Sequence, residues 1–170
     1  VENKTRDLDA VAIQTVLGAL ALNKVLEGGC GTGKNTGWLA QQASWVTAMD
    51  FSEAMLQKAK EKIAAPNVTF VQSDLTQKWP FERPAFDAVT LNLVLEHVQH
   101  LSPVFAEAAR VLKEGGNLFL CELHPVKQYA GSKARFEQQG TTQVLPCFVH
   151  HASDYFAAAT SAGLQCLQLN

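Results

Sequence analysis

The sequence predicts a single α/β domain, a doubly wound, mostly parallel sheet with helices on both faces. Three observations carry the prediction. Helical and strand-like periodicities alternate along most of the chain, the order that a parallel sheet with crossover helices requires. The first short strand runs directly into a glycine cluster, Gly28, Gly29, Gly31 and Gly33, and the second ends on an acid, Asp50. Strand, glycine turn and helix form the first half of a nucleotide-binding unit.

Taken in order, Asp7–Leu22 places Leu8, Val11, Ala12, Val16, Ala19 and Leu20 on a helical stripe. Val25–Glu27 is a short strand, and Thr36–Gln42 the helix that follows the glycine turn. Trp45–Met49 reads as the second strand and Ser52–Ile63 as the next helix, with Ser52 a suitable N-cap and Glu53 where the helix dipole favours an acid. Pro66-Asn67 breaks that pattern, and Val68–Val71 is a third strand. Gln77–Pro84 is a loop containing two prolines, and Phe86–Asn92 a fourth strand. Pro103–Lys113 reads as a helix stopped by Gly115-Gly116, and Asn117–Glu122 as a fifth strand.

The stretch from Pro125 to Gln143 is polar and weakly periodic; a connection of that length in a small domain is expected to be a functional insertion or cap. Asp154–Ala162 is the last helix, and Leu164–Leu169 alternates as a sixth strand would. The chain starts at Val1 and stops at Asn170 directly after that run, so it reads as a fragment lacking the last strand of the sheet. Residues 1–170 fall within the usual size of one domain.

Lys and Arg number 14 against 16 Asp and Glu, so no positive field draws the chain to a phosphate backbone, and nucleic acid is not an expected partner. Cys30, Cys121, Cys147 and Cys166 include no C-x-x-C pair. Small buried thiols in a reducing cytosol are therefore expected, and no metal site. No apolar run approaches the ~20 residues needed to span a bilayer, and no basic-then-apolar leader opens the chain. The expected location is the cytoplasm, without membrane insertion.

The chemistry concentrates in Val25-Leu26-Glu27-Gly28-Gly29-Cys30-Gly31-Thr32-Gly33, followed by Asp50. Glycines let backbone amides approach a ligand that a Cβ would hold off, and an acid at the tip of the second strand lies where ribose hydroxyls can donate to it. A dinucleotide fingerprint beginning at Gly29 would need glycine or alanine at position 34, where this chain has Lys34. Glu27 beside the turn would repel a pyrophosphate but attract an ammonium group. A cofactor carrying an amine and a sulfonium fits better than one carrying phosphates.

These motifs resemble the class I, Rossmann-like methyltransferase family, in particular its small-molecule branch with an E/D-x-G-x-G-x-G first motif. The resemblance runs from the first strand to the sixth. It implies S-adenosyl-L-methionine as cofactor and S-adenosyl-L-homocysteine as product. It also implies Gly29 and Gly31 under the methionine part and ribose, Glu27 toward the amino group, Asp50 on the ribose hydroxyls, and Phe51 and Met55 against the adenine. Val71-Gln72-Ser73-Asp74-Leu75 is a second matching segment, implying that Asp74 accepts from the adenine amino group while the Leu75 amide meets a ring nitrogen. A third, Phe86–Val98, implies that Asn92 and Leu93 border the methionine moiety beside the substrate entrance. Two departures stand out. Gly28 replaces the bulky apolar residue more usual in the family, and Leu93-Val94-Leu95 replaces the Pro-Pro-aromatic turn of enzymes that methylate amino groups of DNA bases or protein glutamine.

His124, in Cys121-Glu122-Leu123-His124-Pro125, follows the fifth strand, and ligands of open α/β sheets bind beyond such carboxyl ends. It is the candidate catalytic base, useful if the acceptor is a hydroxyl or activated carbon. His97 and His100 are divided between structural and near-cofactor roles, and His150-His151 is read as structural, a cap for the last helix. The expected function is methyl transfer from S-adenosylmethionine to a small-molecule or lipid-like acceptor. The alternative is a noncatalytic regulatory module that binds the same cofactor, since cofactor binding alone does not establish turnover. A nicotinamide oxidoreductase is opposed by Glu27 and Lys34.

Overall fold

A computed structural model describes residues 4–82, 84–130, 135–138, 141–144 and 147–170. The elements in chain order are α1 (Lys4–Leu17), β1 (Leu22–Gly28), α2 (Thr36–Gln42), β2 (Ala43–Asp50), α3 (Glu53–Lys62), β3 (Val68–Gln72) and β4 (Phe86–Asn92). A 3-10 turn at Leu95–His97 follows, then α4 (Leu101–Val111), β5 (Leu112–Cys121), α5 (Pro125–Tyr129), β6 (Arg135–Gln138), β7 (Thr141–Val144) and α6 (Ala152–Ser161).

Strands β1 to β5 form one sheet in the order β3-β2-β1-β4-β5, parallel throughout, as the alternating pattern predicts. Side chains alternate between its faces. Val25, Val46, Ala88 and Phe119 pack beneath Ile13 and Leu17 of α1 and Leu39 of α2, while Ala48 meets Leu56 of α3. On the other face Leu26, Val89 and Leu91 meet Val104, Phe105 and Ala108 of α4 and Ala158 of α6. Each fully buried Val, Leu or Phe stabilises the domain by about 1.5–3 kcal/mol. After β3 the chain crosses back to lay β4 beside β1. The strand order therefore reverses between β1 and β4, and the crevice at their carboxyl ends is where ligands of open α/β sheets bind.

Several boundaries differ from the sequence expectation. The first helix stops at Leu17, before Gly18, and Leu22 belongs to β1. Its buried face is shifted round the helix: Asp9, Ile13 and Leu17 are buried, with Ala12 and Val16 packed partly against the core, whereas Leu8 and Val11 are exposed. Gly115-Gly116 lies inside β5 rather than ending α4. There the pairing jumps from Phe86↔Leu112 to Ala88↔Asn117, an irregularity that Gly115 accommodates with φ 74°. At Gly28, a Cβ would lie 2.6 Å from Leu91 Cδ2 and 3.0 Å from Leu75 Cδ2. The space of the missing side chain is thus already taken by two leucines.

The sixth strand is a correction. Leu164–Leu169 is not a strand, and Leu167 and Leu169 are 83% and 72% exposed. Alternation makes a strand only where a neighbour supplies hydrogen bonds, and among the described residues none pairs with this segment. Within the stretch 125–143, the weak periodicity conceals the short helix α5 and an antiparallel hairpin, β6 with β7. Positions 131–134, 139 and 140 of that stretch lie outside the described residues.

Candidate functional site

The β1–α2 turn is built from backbone geometry that glycine permits. Gly29, Gly31 and Gly33 have φ of 71°, 55° and 75°, a region other residues seldom adopt. The N–H groups of Gly29 and Cys30 both donate to the Met49 carbonyl, at 2.7 and 3.0 Å, which ties the turn to the end of β2. A Cβ at Gly29 would strike Val94 Cγ2 at 2.4 Å, whereas one at Gly31 would meet nothing within 4 Å. Gly29 is thus packed from above by the segment after β4, and Gly31 faces open space.

Asp50 ends β2 against this turn. One carboxylate oxygen accepts from Gly31 N–H at 2.8 Å, the other from Ser52 N–H at 2.9 Å. Phe51 follows, 72% exposed, and Met55 is half-buried on the first turn of α3. The Ser73 N–H donates to the Asp50 carbonyl at 3.0 Å, so the segment after β3 returns over the tip of β2. There Asp74 is exposed, its Oδ1 accepting from both the N–H and the hydroxyl of Thr76 at 2.8 Å. Leu75 is buried, and its carbonyl accepts from the indole of Trp79 at 3.1 Å.

Glu27, near the end of β1, is buried, and its Oε2 accepts from the Thr36 hydroxyl at 2.5 Å. Burial pushes its carboxyl up to about 8; the Thr36 hydrogen bond opposes the shift, and the nearby charges of Asp9 and Asp50 add to it. Asn92, at the tip of β4, donates from Nδ2 to Asp9 Oδ1, while Asn35 donates to Asp9 Oδ2 at 2.9 Å. The Asn92 Oδ1 atom is buried without a hydrogen-bond partner.

The structure therefore brings Glu27, Gly29, Gly31, Asp50, Phe51, Met55, Asp74, Leu75 and Asn92 to one end of the sheet, around the β1–β4 crevice. His124 lies past the end of β5. It is exposed, and its Nδ1 accepts from the Val126 N–H at 3.3 Å at the start of α5. His151 caps α6 through a reciprocal pair of hydrogen bonds with Asp154, in line with its structural reading. His150 is buried, its Nε2 2.7 Å from the Val98 carbonyl.

Three residues escaped sequence reasoning. Asp9 latches α1 across the tips of the sheet through Asn35 and Asn92. An acid in phase with Ile13 and Leu17 was the available signal. Thr36 engages Glu27 from the first turn of α2. Glu122, directly after β5, is an acid in phase with the partly buried Leu118 and Leu120. Its Oε1 accepts from Val94 and Leu95 N–H at 3.0 and 2.8 Å. Burial raises its carboxyl to about 8 against the pull of those two bonds, with Glu96 and Asp9 adding to the rise.

Strand order, crossover and glycine turn define a doubly wound, Rossmann-like α/β domain. A family model described as a methyltransferase domain matches residues 26–120, and the chain belongs to that family. Its fold is that of the class I, Rossmann-like S-adenosylmethionine-dependent methyltransferases. Among solved structures it is similar to an S-adenosylmethionine-dependent methyltransferase from Mesorhizobium loti, with a TM-score of 0.72 and 22% identity, covering 92% of this chain and 82% of that one. It is also similar to a DhpI–SAM–HEP complex, with a TM-score of 0.73 and 27% identity, covering 93% and 78%. Among curated proteins, a demethylmenaquinone methyltransferase of Clavibacter sepedonicus is 36% identical over 113 residues, 66% of this chain and 46% of the relative. The chain thus spans a little under half the length of that relative.

Proposed function

We propose that this chain is the cofactor-binding domain of an S-adenosylmethionine-dependent methyltransferase acting on a small-molecule or lipid-like acceptor. One observation carries the reading: the crevice at the strand-order reversal is lined by hydrogen-bond acceptors, namely Glu27, Asp50 and the unpartnered Oδ1 of Asn92. Those acceptors match a ligand that offers donors, an ammonium group and ribose hydroxyls, and the Asp50 carboxylate would repel a pyrophosphate. Glu27 and Asn92 hold the amino-acid end, Asp50 the ribose, and Gly29 and Gly31 give room for both. Phe51, Met55, Asp74 and Leu75 take the adenine. A relative named for demethylmenaquinone methylation supports a small-molecule acceptor.

The cofactor supplies a methyl group already attached to a good leaving group, so the protein's contribution is alignment, exclusion of water and, for some acceptors, a base. For a hydroxyl or carbon acceptor, His124 takes the proton at Nδ1, exchanging its bond to the Val126 amide for one to the substrate. We read residues 1–170 as one domain and the stretch 125–143 as its cap. The exposed Val126 and Tyr129 of α5 beside the end of β5 support that reading, as does the contact of the Tyr129 hydroxyl with His151 Nε2 at 2.9 Å. Among the described residues no helix is long and apolar enough to cross a membrane. Four free cysteines fit a cytoplasmic setting, and the net charge of −2 is consistent with a partner other than nucleic acid.

The test is calorimetric titration of the purified protein, cleared of copurified ligand, with S-adenosylhomocysteine and separately with NADH. Selective binding of S-adenosylhomocysteine is expected. Binding of NADH alone, or of neither ligand, overturns the proposal.

A further inference from the structure

Just past the tip of β4 the backbone takes a conformation that side chains disfavour. Leu93 has φ 51° and is the non-glycine residue with positive φ among the described residues. Its own N–H still extends the β4–β5 pairing, donating to the Cys121 carbonyl at 2.8 Å. The left-handed step then turns the next two amides, Val94 and Leu95, out of the ladder. Leu95 is fully buried, so its N–H requires a partner within the protein.

Both amides find the same atom, Glu122 Oε1, at 3.0 and 2.8 Å. A carboxyl oxygen has two lone pairs and can serve both donors at once. The other oxygen, Oε2, is buried with no partner, an arrangement a protein tolerates at a cost. Val94, held in this way, lies over the glycine turn, where a Cβ added to Gly29 would come within 2.4 Å of its Cγ2 and 2.8 Å of its Cβ. One line of contact therefore runs from the Glu122 carboxyl through the two amides and the Val94 side chain to Gly29.

We infer that Glu122 is a positioning residue for the cofactor site. By gripping the amides of Val94 and Leu95 it sets the gap between the β4 tip and the glycine turn, the slot that receives the amino-acid end of S-adenosylmethionine. This inference rests on the cofactor reading proposed above. An apolar residue at position 122 would leave both amides unpaired, and the turn would reorganise to satisfy them. Adenine, held by residues after β2 and β3, lies outside this line of contact.

The experiment compares Glu122→Ala, Glu122→Asp and Glu122→Gln with the wild type, titrating each with S-adenosylhomocysteine and with adenosine. Circular dichroism and thermal melts check that each variant folds. The alanine variant should lose S-adenosylhomocysteine affinity by about tenfold or more with adenosine binding little changed. The aspartate variant keeps the carboxyl group but draws it back by one methylene, and should show the same selective loss. The glutamine variant retains an oxygen at Oε1 and should rescue binding to near wild type. A merely structural role would weaken both ligands alike and would not distinguish glutamine from alanine. Should the alanine variant not fold, the aspartate and glutamine pair decides. Wild-type affinity in the aspartate variant, or equal loss for both ligands, overturns the role of Glu122 alone. A wild type that binds adenosine but not S-adenosylhomocysteine overturns the cofactor reading as well.

Discussion

Glu27 offers the sharpest quantitative test. Burial, against the opposing Thr36 hydrogen bond, raises its carboxyl to about 8, so at pH 7 the side chain is mostly protonated. An ammonium group needs the carboxylate, and ionising the group one unit below its pKa costs about 1.4 kcal/mol. On the proposed reading, binding releases a proton, and affinity for S-adenosylhomocysteine should rise roughly tenfold per pH unit between about pH 6 and 7.5, flattening near 8. Glu27→Gln should abolish that slope and weaken binding at pH 8 by about 1.5–3 kcal/mol, the worth of a charge-assisted hydrogen bond. Adenosine, which lacks the ammonium group, should show neither the slope nor the sensitivity. Calorimetry in two buffers of different ionisation enthalpy counts the released proton directly. A flat wild-type profile, or the same slope in the glutamine variant, would refute the reasoning. The unliganded protein supplies a second sign check. Because the folded state raises this pKa from 4.5, it holds the proton more tightly than the unfolded chain. The Glu27 contribution to stability is then complete below about pH 4.5 and is lost as pH rises toward 8. Glu27→Gln should consequently melt at a higher temperature than wild type at pH 8, without ligand.

Two further outcomes concern the same turn. Asp50→Ala should weaken S-adenosylhomocysteine binding by about 1.5–3 kcal/mol and also lower stability, since the Gly31 and Ser52 amides lose their acceptor; unchanged affinity by calorimetry would remove Asp50 from the site. Gly29→Ala and Gly31→Ala should separate stability from binding. The first places a methyl against Val94 and should cost about 2–4 kcal/mol of stability in denaturant melts. The second carries only backbone strain, about 1–2 kcal/mol, but projects its methyl into the open crevice and should weaken ligand binding.

The parallel sheet and the crevice were legible because both rest on local signals. Strand periodicity, the Gly29–Gly33 turn and an acid at Asp50 lie within a short span of chain, and Gly29 and Asp50 both lie at the carboxyl end of the sheet. What escaped depends on contacts distant in sequence. Asp9 lies 83 positions from its partner Asn92, and Glu122 28 from Val94, so neither partnership leaves a spacing to read. The stripe on α1 was only partly placed, with Ala12 and Val16 on the core face, because its apolar residues surround the helix and only packing against Val25 and Phe119 selects the face with Ile13 and Leu17. The expected sixth strand failed for a related reason. Alternation from Leu164 to Leu169 states a capacity to pair, and pairing requires a neighbour. Lys113 and Gly115, expected at the end of a helix, belong to β5 because the β4 register fixes where that strand begins.

The anchoring of Asp50 by two backbone amides has a kinetic consequence. A carboxylate held on both oxygens has no rotamers left to surrender when a diol arrives, so that part of the ordering entropy is already spent in the free protein. On the proposed reading, ribose capture completes within a single encounter, without a slow isomerisation after docking. Affinity differences among variants of this crevice should then reside in the residence time of the ligand, while the rate of its arrival stays nearly constant.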